Sequence, residues 1–149
     1  MLSTLTSSFP PTAATALYRR TATALSTTLY DRLLVHRAWS EAGAQQLAFD
    51  LEHGFLQAAR EAKVPRGVGR GWELLRGAAT VLALPAGEAA EAAEGGVSFA
   101  RVMRMAWDDV APEGEGSEWG RVLEGLGVGE VVGKAQARQV MRKRPECWR

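Results

Sequence analysis

An apolar or small residue returns at every fourth position through the first part of this chain, at Leu17, Thr21, Leu25, Leu29 and Leu33. A four-residue interval keeps side chains on one face of an α-helix, whereas a half-buried strand needs an interval of two. Ala14, Ala22 and Leu34 widen the stripe, so the spacing predicts one long amphipathic helix over residues 12–37. Its opposite face, with Tyr18, Ala24 and Tyr30, lacks a dense charged surface and is expected to be the uncovered one.

The pattern continues in the same period. Trp39 and Ser40 interrupt it, and Ser40 is a natural N-cap whose hydroxyl can accept from a free amide of the next helix. Glu41 then sets a carboxylate in a first turn, where the helix dipole favours it. This second helix is expected to reach about Lys63, with Ala44, Leu47, Leu51, Phe55 and Ala58 on one face. Pro65, Gly67, Gly69 and Gly71 end it in a basic loop. A third helix turns Trp72, Leu75, Ala79 and Leu82 inward, flanked by Leu74, Ala78 and Val81, and Pro85 stops it. The Ala/Glu stretch 86–94 reads as a shallow helix. Ser98 can cap another, holding Val102, Met103, Ala106 and Val110. Residues 112–117 read as a solvated loop, and two short helices follow, one with Trp119, Val122, Leu123 and Leu126, the other with Ala137, Val140 and Met141. Residues 128–132 come nearest to a strand, and their glycines weaken it. The expected fold is all-α: an antiparallel helical bundle over 12–149 behind a disordered end, 1–11. Leu25, Leu29, Leu33, Leu47, Leu51, Phe55, Leu75 and Leu82 are expected to share its core.

With 46% hydrophobic and 23% charged residues in 149, the chain is of ordinary globular composition and one-domain size. A net charge of +1 gives no global field to recruit nucleic acid or an anionic membrane. The charge is unevenly placed. From Gly77 to Glu130 three basic residues face ten acidic ones, and from Val131 onward six basic residues face Glu146 alone. Such asymmetry implies either intramolecular complementarity or two distinct contact surfaces. Cys147 is the only cysteine, which excludes an intrachain disulfide and a thiolate zinc site and fits a reducing compartment. No apolar run approaches the roughly 20 residues of a membrane span. No acidic residue precedes Asp31, and Arg19 and Arg20 sit among Ser, Thr and Ala. That composition imitates a transit peptide, so one reading is a mitochondrial helical protein with a cleaved N-terminus.

Chemistry is sparse. Asp50 and His53 stand three apart, as in half of a carboxylate-bridged metal site, but no second carboxylate-x-x-His exists and His36 is isolated. No serine lies in a G-x-S-x-G elbow, and Cys147 has no nearby histidine to activate it, which reads as a partly buried anchor. The glycine run from Gly67 to Gly71 lacks the Lys-Ser/Thr of a phosphate loop. Lys134, Arg138, Arg142, Lys143 and Arg144 form the one basic cluster, read as cations meeting the negative end of a helix and its free carbonyls. Trp39, Trp72, Trp107, Trp119 and Trp148 read as core or rim packing, because no cations interleave them as a nucleic-acid groove requires. No catalytic, metal or cofactor residues are assigned, and the chain is expected not to be an enzyme.

The order of particular residues carries one resemblance. Leu29-Tyr30, Ala38-Trp39-Ser40, Gly43-Ala44-Gln45-Gln46-Leu47 and Asp50-Leu51 resemble the most recognisable stretch of the RINT/TIP family. Trp72 to Leu84 is similar to that family's next helix, with its Leu-x-Leu ending. Leu126-Gly127-Val128, a short helix, a basic run with Arg144 and a terminal Trp148 are similar to its C-terminal end. Trp39 departs from the usual Phe, and the acidic Gly-rich loop near Gly114 looks inserted. Family members are several times longer, so the resemblance makes this chain the C-terminal part, with the family's N-terminal region absent. It implies a segment of a helical-rod (CATCHR-type) subunit of the Dsl-type tether, called NRZ in animals. Such subunits help capture COPI vesicles in retrograde Golgi-to-ER transport. Expected partners are tether subunits and ER SNARE proteins, with no nucleic acid, and the expected location is cytoplasmic and peripheral at the endoplasmic reticulum.

Overall fold

A computed structural model of the chain describes residues 10–61, 68–87, 96–114 and 116–148, and every regular element among them is helical. Helix α1 spans Pro11–Leu29 and runs on as a π-helical turn, Tyr30–Leu34. Helix α2 (Glu41–Asp50) passes through a second π-helical stretch, Leu51–Leu56, into the short α3 (Gln57–Glu61). A tight turn, Val68–Trp72, leads into α4 (Glu73–Leu82). Helices α5 (Phe99–Trp107), α6 (Glu118–Gly125) and α7 (Lys134–Met141) complete the helical bundle. No helix is long and apolar enough to cross a membrane among the described residues. The expected helix over 86–94 and the frayed end 1–9 fall largely or wholly outside those residues, as do Pro65 and Gly67.

Helix α4 is the centre, and its sequence says why. Leu75, Gly77, Ala78, Ala79, Val81 and Leu82 are all buried, so six of its ten residues lie inside, and Glu73, Leu74, Arg76 and Thr80 alone reach partly to solvent. It packs on α1, α2, α5 and α7. On one side the turn between Val128 and Val132 comes close enough to exclude any side chain: a methyl group at Gly77 would lie 2.7 Å from both Val128 Cγ1 and Val132 Cγ2. The turn that delivers Val128 is built by Gly127, whose φ of 68° is a left-handed conformation natural to glycine. Gly127 N–H donates to Glu124 O (2.9 Å) and Val128 N–H to Leu123 O (2.9 Å), closing α6 with a Schellman motif.

Two N-caps stand where the sequence places them. Gly43 N–H donates to Ser40 Oγ at 3.1 Å and Arg101 N–H to Ser98 Oγ at 3.0 Å. A third, Ser117 accepting from Gly120 N–H at 2.9 Å, lies at the edge of the segment read only as loop.

The expected core needs correcting in register. On α1 the buried stripe is Ala22, Ser26, Tyr30 and Leu34, one position on from the leucine stripe. Leu17 and Leu25 are exposed at 47% and 40%, and Leu29 and Leu33 are half-buried. The cause is a close approach: a Cβ at Gly71 would lie 2.6 Å from Ala22 Cβ, so only the stripe that puts a residue as small as Ala22 at this point lets α1 meet the Val68–Trp72 turn. Tyr30, assigned above to the uncovered face, is buried, and its hydroxyl donates towards Gln139 Oε1 (3.1 Å) and Gln136 O (3.3 Å). Tyr18 is half-buried and accepts from Trp72 Nε1–H at 3.3 Å. On the second segment the π-helical turn inserts an extra residue, so Leu51 and Leu56, five apart, are buried while Phe55 is thrown out at 48% exposure. Leu47 is half-buried and Ala58 exposed. Leu75 and Leu82 are buried as expected, but Val110 lies beyond the end of α5 and is 95% exposed.

Two measurements check this packing. Leu51→Ala should cost about 2–5 kcal/mol in urea unfolding, and Phe55→Ala, which loses mainly a tilted contact with Trp72, no more than about 1.5 kcal/mol; the reverse order would restore the four-residue register. Burial, reinforced by Asp31, pushes the Tyr30 phenol up to about 12. Its neutral form is the one the fold favours, so this contribution is intact below the unfolded value near 10 and declines as pH rises from there to about 12. Tyr30→Phe should flatten that part of the stability–pH curve.

Candidate interaction surface

The basic C-terminal cluster is turned largely inward. Arg144 has no exposed surface, although burying a guanidinium costs several kcal/mol unless its N–H groups are satisfied. Here Nη1 donates to Leu82 O (3.0 Å) and Leu84 O (2.5 Å), carbonyls at the C-terminal end of α4. Nε and Nη2 form a fork on Glu146 (3.1 and 2.9 Å), and Nη2 also reaches Glu41 Oε2 at 3.1 Å. All five N–H groups are thereby used. The Phe99 ring lies 4.4 Å beneath the guanidinium, a cation–π contact. Glu41 Oε2 also accepts from Ala86 N–H at 3.0 Å.

Lys134, Arg138 and Arg142 recur every four residues from the start of α7, and all three reach the end of α5. Lys134, 2% exposed, donates from Nζ to Asp108 O (2.5 Å) and Ala111 O (2.7 Å). Arg138 donates from Nε to Ala106 O at 2.5 Å and pairs with Asp109. Arg142 lies 5.8 Å over the Trp107 ring. The expectation that cations of this cluster meet helix-end carbonyls holds for Lys134, Arg138 and Arg144, and the helix ends they meet are those of α5 and α4.

The other candidates are dispersed. His36 and His53 are exposed; His53 stacks on Phe49 with centroids 4.1 Å apart, and its Nδ1 lies 3.1 Å from Phe49 O. Asp50 accepts from Gln46 Nε2–H at 2.7 Å. No group of three His, Cys, Asp or Glu residues is placed to hold a metal ion among the described residues. The Cys147 thiol is pushed up by burial, against the lowering effect of Arg142, which disfavours the nucleophilic thiolate. Of the glycine run, Gly71 is buried against Ala22 and Gly67 lies outside the described residues. Trp72 and Trp119 are core, Trp39 is half-buried, and Trp107 and Trp148 are exposed at 37% and 73%.

Among the described residues a cleft of about 360 Å³ lies between the start of α5 and α6, and another of about 320 Å³ is lined by Leu51, Glu52, Arg76, Thr80 and Gly127. Val97, Val122, Gly125 and Leu126 supply the apolar lining of the first, and Arg101, Glu118 and Arg121 its polar lining. Its residues, 97–126, are unremarkable locally and converge only when the chain between them folds back, so the sequence did not single it out. The one hint was that Arg101 and Arg121 are two of only three cations in the acidic middle.

Arg144→Met should destabilise the fold by about 3 kcal/mol in chemical denaturation, because it strands two carboxylates and two helix-end carbonyls. Arg144→Lys should recover only part of that, since an ammonium cannot form the fork. Comparison of the chain with protein-family models, with curated proteins and with solved structures returns no match.

Proposed function

We propose that this chain is the C-terminal part of a RINT/TIP-like vesicle-tethering subunit, an antiparallel bundle of the helical-rod class that works by binding and not by turnover. Its role would be in retrograde Golgi-to-ER transport, at the cytoplasmic face of the endoplasmic reticulum, through contacts with tether subunits and ER SNARE proteins. The observation that carries the reading is the meeting of the three resembling blocks at Arg144. That side chain, from the last block, bonds Glu41 of the first and the Leu82 and Leu84 carbonyls that close the second. Glu41 lies between the Ala38–Ser40 and Gly43–Leu47 stretches, so the three segments that carry the resemblance lie against one another at Arg144, which supports the reading. An all-helical body agrees with a surface that offers helix faces to partner helices.

Expression of the tagged chain in eukaryotic cells tests this. It should co-sediment with endoplasmic reticulum membranes and co-precipitate tether subunits and ER SNAREs, and substitution of His36, His53 and Cys147 together should leave that binding intact. Import into the mitochondrial matrix with loss of the N-terminus would reject the tether reading in favour of a mitochondrial protein.

A further inference from the structure

We propose that the cleft between α5 and α6 is a docking groove for an α-helix of a partner protein that presents a carboxylate beside an apolar side chain. Its charge points to the acid. Arg101 from α5 and Arg121 from α6 both line it, against Glu118 alone. The Arg101–Glu118 pair is long, 3.4 Å, with side chains 41% and 63% exposed, so it is solvated and exchangeable at little cost. Arg121 is exposed and pairs with no carboxylate among the described residues. An incoming carboxylate between the two guanidiniums meets donors built for forked recognition.

The shape points to a helix. Most of its lining is one face of α6, Glu118, Arg121, Val122 and Gly125, along which the ridges of another helix can seat, and Val97, Val122 and Leu126 make its apolar part. No strand edge is present among the described residues to pair with an extended peptide. A small molecule fits less well, because small-molecule sites bury most of their ligand and this trough leaves its charged walls in solvent. An anionic membrane would set the exposed Glu118 and Glu124 of α6 against headgroup charge.

Gly125 makes the inference testable. It lines the cleft, and a Cβ there would meet no atom within 4 Å, so a larger side chain fills the groove without displacing the bundle. The purified full chain is panned against a displayed library of helical peptides with randomised surface positions. Enriched peptides should carry Asp or Glu three or four residues from Leu, Ile, Phe or Met. Binding should weaken about tenfold with Arg121→Glu and be lost with Gly125→Leu, while both variants keep the parent unfolding midpoint. Replacing the peptide's acid by Lys should restore affinity for Arg121→Glu. Enrichment of neutral or basic peptides, no enrichment, or binding indifferent to both substitutions would overturn the proposal. So would phosphatidylserine vesicles that bind the parent chain but not Arg121→Glu, which would make the site a membrane contact. The inference does not rest on the tether reading, since the panning uses no endoplasmic reticulum component.

Discussion

A guanidinium with no exposed surface ties this bundle together where the start of α2, the end of α4, the start of α5 and the C-terminal turn meet. Burial of Arg144 is tolerable because every N–H is used and because two of the acceptors are the free carbonyls at the end of α4, where the helix dipole is negative. Glu41 and Glu146 complete the neutralisation, and Phe99 offers the face of its ring. Segments scattered from residue 41 to residue 146 are thereby fixed against one another by directional bonds. Apolar contacts alone would not specify their register so closely, since they are tolerant of sliding.

The same device recurs one helix away and resolves the charge asymmetry. Lys134 and Arg138 satisfy the carbonyls that α5 leaves open, and the acidic middle answers them: Asp109 pairs with Arg138, and Glu113 accepts from Lys134 N–H at 3.0 Å. The basic tail and the acidic middle are thus partly complementary within the molecule. A nucleic-acid contact by this cluster would have to draw on Arg142 and Lys143, because Lys134 and Arg144 are 2% and 0% exposed.

Periodicity made the helical class, the caps at Ser40 and Ser98 and the inward stripe of α4 at Trp72, Leu75, Ala79 and Leu82 legible, because each follows from residues within one or two turns. Register was not legible on α1. Two stripes run side by side there, and the choice between them is made by Gly71, about fifty residues further along, whose contact with Ala22 admits only a small side chain. Hydrophobicity favoured the leucines; close approach overruled it. The Leu51–Leu56 turn misled for a different reason, since an α-helical ruler cannot anticipate an inserted residue. Of the polar residues, Glu41 was read as a dipole-favoured carboxylate and Arg144 as one of several terminal cations. Nothing in their spacing, about a hundred residues, tied one to the other.

This division of the arginines bears on how a binding function would be carried. Arg144 and Arg138 spend their donors on carbonyls and carboxylates of the fold, so a partner could engage them only by breaking the bundle. Arg101 and Arg121 differ: one holds a long, solvated pair and the other lies exposed on α6. Leu126, at the edge of the cleft between them, leads into the Schellman turn at Gly127, which delivers Val128 to its place against Gly77 at the core. The backbone beside the cleft is therefore held by the same turn that seats Val128 against α4, while the two guanidiniums stay in solvent. A fixed backbone lowers the ordering cost of association, and the arginines would be ordered only when a partner's carboxylate arrived.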